Sequence, residues 1–187
     1  MFESVLLTNR LELHHIPANG IIELFEKKSD QAAIAGRDLL NPYQVLIANP
    51  GPLGWRVPQV KEDAATNKWF VRWIVLATSR EIIGSVSFHN APDSSGMIEI
   101  GLGIEPEFRG RGFAREALTA MWRWVVKEPG VKTLRYTVSP DNAPSIAVIN
   151  YFGFTYMGQQ MDEIDGPENI YEMSAVEFSQ RWGVSGE

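Results

Sequence analysis

A chain of 187 residues is long enough for one domain with a sizeable core and too short for two of ordinary size. Its 17 Lys and Arg stand against 23 Asp and Glu, a net charge of −6. That balance argues against a dedicated nucleic-acid binder, which needs a basic face to neutralise phosphates. With no cysteine there is no disulfide, no thiolate metal site and no cysteine nucleophile, which fits a reducing compartment. The start, MFESVLLTNRLEL, has an early Glu3 and only a short apolar run, so it does not read as a signal peptide. No apolar run approaches the ~20 residues a membrane span needs. The expectation is a cytoplasmic protein with neither membrane nor nucleic acid as partner.

In chain order, RLELHHI (Arg10 to Ile16) alternates like a strand, and NGIIELFEKKS (Asn19 to Ser29) has helical spacing, with a short helix expected after it from Asp30. Residues 41–58, rich in proline and glycine, read as a long loop, ordered by Tyr43, Leu46, Ile47 and Trp55. A short helix is expected over Lys61 to Asn67. Phe70 to Ala77 and Glu81 to Phe88 read as strands joined by a tight turn, hence antiparallel, with Met97 to Ile104 as the third strand of a meander. From Phe113 the period becomes helical: Ala114, Ala117, Leu118, Met121 and Val125 share a face until Glu128, Pro129 and Gly130 stop it. Thr133 to Ser139 then reads as a strand, Pro144 to Tyr151 as a helix, and residues 152–161 and 169–176 as two more strands. The order predicts a mixed, mostly antiparallel α+β sheet of about seven strands with helices on its faces.

The segment EPEFRGRGFAREAL departs from this ordinary pattern. A helix entrance has unpaired N–H groups and the positive end of the helix dipole, so it suits a phosphate. Glycine lets a backbone approach a ligand, and arginine adds charge-assisted hydrogen bonds. RGRGFA therefore reads as a diphosphate cradle between strand and helix. An isolated RGRG reads first as a surface loop with solvated arginines; the flanking strand and amphipathic helix favour the cradle. It is neither a Walker loop nor a GxGxxG turn.

At these residues the chain resembles a known family. Arg109, Gly110, Arg111, Gly112, Phe113 and Ala114 match the R/Q-x-x-G-x-G/A motif of the GNAT acyltransferases. AREAL resembles the segment that follows it in the RimJ/RimL-like branch. NAPSIAVINYFGF (Asn142 to Phe154) resembles that branch's N-x-x-S…G-F segment. The resemblance is close over residues 81–175. It implies one acyltransferase domain, with an acceptor-selecting part over residues 1–80 and an acyl-CoA-binding core after it. It implies acetyl-CoA as cosubstrate, its diphosphate on the N–H groups of Arg109 to Ala114 and its pantetheine paired like a strand with Leu102 to Ile104. The sheet is expected to splay between the fourth and fifth strands, beside Met97 to Ile104 and Leu134 to Ser139. Gly101 and Gly103 fit a close approach of ligand there, or simple packing under a bulky neighbour.

Acyl transfer to an amine needs a neutral amine, although an alkylammonium has a pKa near ~10. It needs a donor for the developing oxyanion, which the resemblance assigns to the Ile104 N–H. It gains from a proton for the leaving thiolate, whose pKa is ~8.5 by analogy with cysteine. With no nucleophile in evidence, direct attack in a ternary complex is the economical route. Alternation puts Glu99 on the strand face with Met97, Gly101 and Gly103, away from the isoleucines. It is the candidate base, against the reading of a solvated strand carboxylate. Ser145 is the candidate acid, against a role in cofactor binding alone. The family's usual tyrosine acid would fall at Ile149 and is absent; Tyr151 is a possible substitute or a packing residue. That absence keeps open a non-catalytic acyl-CoA sensor on the same fold. Asn142 reads as a helix cap whose amide can also meet the pantetheine. His14 and His15 are adjacent on a strand and cannot pinch one metal, His89 ends a strand, and no metal-ligand spacing occurs. Arg56 and Tyr43 are candidate acceptor contacts. The expected partner is an amine, on a protein N-terminus or a small molecule, with a homodimer possible.

Overall fold

The computed structural model describes residues 3–162 and 166–183. The helices and strands are β1 (Leu6–Leu7), β2 (Leu11–His15), α1 (Ala18–Lys27), α2 (Gln31–Ile34), α3 (Leu53–Glu62), β3 (Arg72–Leu76), β4 (Ile82–Phe88), β5 (Met97–Ile104), α4 (Phe113–Val125), β6 (Thr133–Val138), α5 (Ala143–Phe152), β7 (Thr155–Asp162), β8 (Gly166–Ser174) and α6 (Ala175–Trp182). Short 3-10 helices cover Ala64–Trp69 and Pro106–Phe108. The strands take the order β1-β2-β3-β4-β5-β6-β8-β7 in one mixed α+β sheet. The β5–β6 pairing is parallel, and pairings β1–β2, β2–β3, β3–β4, β6–β8 and β7–β8 are antiparallel.

The sequence reading holds in class and is corrected in four places. Among the described residues there are eight strands rather than about seven, because Leu6–Leu7 pairs antiparallel with Glu12 and Leu13; two residues are too few to show a period. The expected loop over 41–58 is helical from Leu53 onward. Its apolar residues at helical spacing, Leu53, Val57 and Val60, are buried, but Pro52 and Pro58 disguise the period. The helix expected over Lys61 to Asn67 is instead the end of α3 followed by a 3-10 helix. The last strand stops at Ser174, whose side chain accepts the Glu177 N–H and caps α6. That S-x-x-E capping signal was legible in the sequence.

The chain forms two compact units. One comprises the described residues up to Asn90 together with Leu102–Ala120; the other comprises Ala91–Gly101 and the described residues from Met121 onward. In the first, α1 and α3 bury Ile21, Leu24, Leu53, Val57 and Val60 with Ile16, Phe70 and Trp73 in one cluster. In the second, Trp122 is surrounded by Phe152, Phe154 and Phe178, with ring centroids 4.8, 4.8 and 5.7 Å away.

A buried histidine makes the first unit sensitive to acid. His15 Nδ1 accepts the Glu3 N–H and Nε2 meets the Asn67 carbonyl at 2.8 Å, an arrangement that suits the neutral ring. Burial holds its pKa down at about 4, against the pull of the Asn67 contact, with the charges of Arg72 and Arg37 adding to the depression. Above pH ~6.5 the ring is neutral in both folded and unfolded chains. Between pH ~6.5 and about 4 only the unfolded chain binds the proton, so stability falls across that window, by about 3 kcal/mol in full. Urea midpoints at pH 7 and pH 5 measure the loss, and His15→Asn flattens the dependence.

Candidate active site

The residues singled out by sequence divide between the two units. In the first lie Leu102, Ile104 and the turn from Arg109 to Ala114. Gly110 and Gly112 both have positive φ, 73° and 81°, which lets the chain reverse twice before entering α4. The Glu116 N–H donates to the Gly112 carbonyl at 3.2 Å and so opens α4, while the Arg109 N–H, expected to be offered to a diphosphate, is instead taken by the Pro106 carbonyl at 3.2 Å because it closes the short 3-10 helix. Gly110 and Arg109 are exposed. Arg109 Nε donates to the Ile104 carbonyl at 2.7 Å, tying the turn to the end of β5. The Arg111 guanidinium lies over the Phe108 ring, 5.5 Å from its centroid, and Phe108 in turn meets the edge of Tyr43 at 5.2 Å.

Of the two glycines expected to mark a close approach, Gly103 now separates from a third that sequence reading passed over. An added Cβ at Gly103 would meet nothing within 4 Å. A bulky neighbour over Gly103 is therefore excluded, and that face of β5 is open backbone. Gly84 on β4 is the opposite case: an added Cβ would lie 2.2 Å from the Gly103 carbonyl oxygen and 3.1 Å from the Ile104 Cα. Gly84 thus seats the terminal segment of β5 from the other side. A glycine inside a strand was the available signal.

In the second unit lie Glu99, Asn142 and Ser145. The β5–β6 ladder pairs Met97, Ile98 and Glu99 with Thr133, Leu134 and Arg135, and these pairs stop at Glu99 while β6 runs on to Val138. Glu99 is half-buried at that point, and the Thr137 hydroxyl donates to its Oε1. Sequence reading had no means to pair Glu99 with Thr137, since their contact depends on the register between two strands distant in the chain. Asn142 caps α5: its Oδ1 accepts the Ser145 N–H at 3.2 Å. Beneath them the buried Tyr136 of β6 shares a side-chain hydrogen bond with Ser145; burial pushes the phenol's pKa up, and that bond pulls it part of the way back. Tyr136 was likewise absent from the sequence reading. Ile149, where the family's tyrosine would fall, is fully buried and faces the core. Tyr151 is half-exposed, edge-on to Phe152 and tilted against Trp182.

The remaining candidates have structural partners. Arg56 is buried, donating from Nε to Ser87 Oγ at 3.3 Å and lying over Phe70. His14 meets Glu12 at 2.7 Å, and the His89 carbonyl accepts from Gln59.

The structure thus places a turn with two positive-φ glycines between the end of β5 and the amphipathic helix α4 of a mixed sheet. The GNAT acetyltransferase domain matches the chain over residues 39–155, and the chain belongs to that family. The N-acetyltransferase YjdG of Bacillus subtilis (strain 168), described as uncharacterized, is 29% identical over 102 residues, 52% of this chain and 61% of that one. The chain spans less than two thirds of the length of the curated relatives it matches. Among solved structures, the ribosomal-protein-S5-alanine acetyltransferase from Vibrio fischeri superposes with a TM-score of 0.64 at 17% identity, over 96% of this chain and 99% of that chain. The microcin C7 self-immunity acetyltransferase MccE, solved with acetyl-CoA and AMP, superposes at 0.60 and 19% identity, over 89% and 93%. At these identities the likeness is one of fold. Acetyl-CoA is the family's cosubstrate. The residues present fit it: two glycines in positive φ at the mouth of α4, and arginines 109 and 111 beside them.

Proposed function

We propose that the chain is an N-acetyltransferase that moves an acetyl group from acetyl-CoA to a primary amine, on a protein N-terminus or a small molecule. The turn Arg109 to Ala114, with its paired positive-φ glycines at the mouth of α4, is the observation that carries the reading. Bound acetyl-CoA supplies an acyl group already activated as a thioester. The amides from Gly110 to Ala114 hold the diphosphate, with Arg109 and Arg111 adding positive potential. The open backbone of Leu102 to Ile104 holds the pantetheine, and the Ile104 N–H faces the acyl oxygen. Asn142 keeps its capping role and offers its amide nitrogen to the same arm.

Glu99 accepts the proton that the amine must shed to become nucleophilic. Thr137 fixes the carboxylate's orientation by donating to Oε1. The N–C bond forms as the C–S bond breaks, and no enzyme residue is acylated. Ser145, held in place by the cap at Asn142 and by Tyr136, passes its hydroxyl proton to the departing sulfur and regains one through solvent as Glu99 gives up the proton taken from the amine. Residues 1–80 select the acceptor, and residues 81–175 hold acyl-CoA. The net charge of −6 favours a cationic amine by steering. Among the described residues no helix is long and apolar enough to cross a membrane, and with the absence of cysteine this supports a cytoplasmic setting.

Free-thiol release from acetyl-CoA across a panel of amines and N-terminal peptides tests the proposal; amine-dependent release on at least one acceptor is expected. The burial of Ile149 at the family's tyrosine position favours a second reading, a non-catalytic acyl-CoA sensor. That reading requires calorimetric binding of acetyl-CoA with no amine-dependent release on any member of the panel.

A further inference from the structure

The turn between β1 and β2 is joined to the cradle by a cluster of contacts spanning more than a hundred residues of sequence. Glu116, in the first turn of α4, accepts the Thr8 hydroxyl at 2.6 Å and the Arg10 N–H at 2.8 Å on Oε1. On Oε2 it accepts Arg10 Nε at 2.7 Å, with the Arg10 terminal nitrogen NH2 also at 2.7 Å. The other terminal nitrogen of Arg10 donates to the Arg111 carbonyl at 3.0 Å. The same guanidinium covers the Phe113 ring at 4.4 Å. It also lies 3.5 Å from where a Cβ on Gly112 would be.

We propose that Arg10 is a positioning residue for acyl-CoA, which together with Glu116 sets the direction of the cradle's amides; this rests on the cradle reading above. The reason lies in peptide geometry. The Arg111 carbonyl and the Gly112 N–H belong to one planar trans peptide, so they point in opposite directions. Pinning the carbonyl to Arg10 therefore turns the Gly112 N–H away from Arg10. Glycines on both sides of Arg111 leave that peptide little intrinsic preference, so an external tether is required. Arg10 also answers the charge of Glu116. A carboxylate in the first turn of a helix is attracted to the same free amides as a phosphate. Held by four donors to one side, it neither occupies those amides nor confronts the ligand with an uncompensated negative charge.

The test compares acetyl-CoA affinity by calorimetry, and steady-state kinetics, in the unaltered protein, Arg10→Met and Arg10→Lys. Arg10→Met is expected to raise Kd and KM for acetyl-CoA about tenfold, the loss of one good charge-assisted contact, with kcat at saturation within about twofold. Arg10→Lys keeps the charge near Glu116 but lacks the fork that reaches both Glu116 and the Arg111 carbonyl, so it recovers only part of the loss. Unchanged Kd in a folded Arg10→Met protein overturns the proposal, as does full recovery in Arg10→Lys. If Arg10→Met does not fold, Glu116→Gln serves: it keeps an acceptor for Thr8 and for the Arg10 N–H while releasing the guanidinium. A rise in KM without a matching fall in kcat supports the proposal, and an unchanged KM overturns it. Absence of acetyl-CoA binding in the unaltered protein removes the cradle reading itself, a result distinct from normal binding that ignores Arg10.

Discussion

Replacing Glu99 with Gln lowers turnover by roughly 10²- to 10³-fold, the range for loss of a positioned general base, and leaves the Kd for acetyl-CoA within about twofold. Gln keeps the size of the side chain and an oxygen for the Thr137 hydroxyl to meet. It removes only the capacity to take a proton. An acceptor amine with pKa near ~10 is mostly protonated at neutral pH, so the variant depends on the small neutral fraction in solution. Its rate should therefore climb about tenfold per pH unit toward the amine's own pKa, while the unaltered enzyme levels off earlier. A parallel loss of cofactor affinity, or a rate unaffected by the substitution, would remove Glu99 from the role of base.

The second large effect concerns the strand end beside the cradle. Gly84→Ala is expected to destabilise the protein by about 3 kcal/mol, the upper part of the overpacking range. The new methyl carbon would stand 2.2 Å from the Gly103 carbonyl oxygen, and backbone on both strands cannot swing aside as a flexible side chain can. The Glu105 N–H is bonded to the Ile83 carbonyl at 2.9 Å, which holds the two strands together beside the clash. Gly103→Ala is the matched control. Its Cβ meets nothing, so its unfolding midpoint should stay level or rise slightly, as Ala loses less backbone freedom than Gly on folding. Its KM for acetyl-CoA should rise severalfold, because the methyl stands on the backbone where pantetheine is to pair. Urea unfolding of the two variants beside their cofactor affinities separates the roles: one glycine serves the fold, the other the ligand. Equal stability losses in both would contradict that division.

These two residues also show where reading the sequence succeeded and where it stopped. Glu99 was found by alternation in Met97 to Ile104, a strand whose bounds match the structure, because a period of two needs only neighbouring residues. The helix from Phe113 was legible for the same reason: Ala117, Leu118, Met121 and Val125 are buried as their spacing implies. Gly84 was overlooked, since nothing near it in the chain announces which backbone will lie across it. The helix from Leu53 was hidden because two prolines carry a stronger local message than three spaced apolar residues.

Local pattern was thus enough, from sequence alone, to establish the α+β class, and the resemblance carried by the glycine–arginine turn was enough for the acetyltransferase family. Periodicity, capping and turn chemistry act over a few residues and survive in a linear text. What only the tertiary structure decided was partnership: Thr137 with Glu99, Tyr136 with Ser145, Gly84 with Gly103, Arg10 with Arg111 and Glu116. Each is set by strand register or by a contact between segments remote in the chain. Register and remote contacts follow from how the whole core packs, for which no single stretch of sequence carries the information.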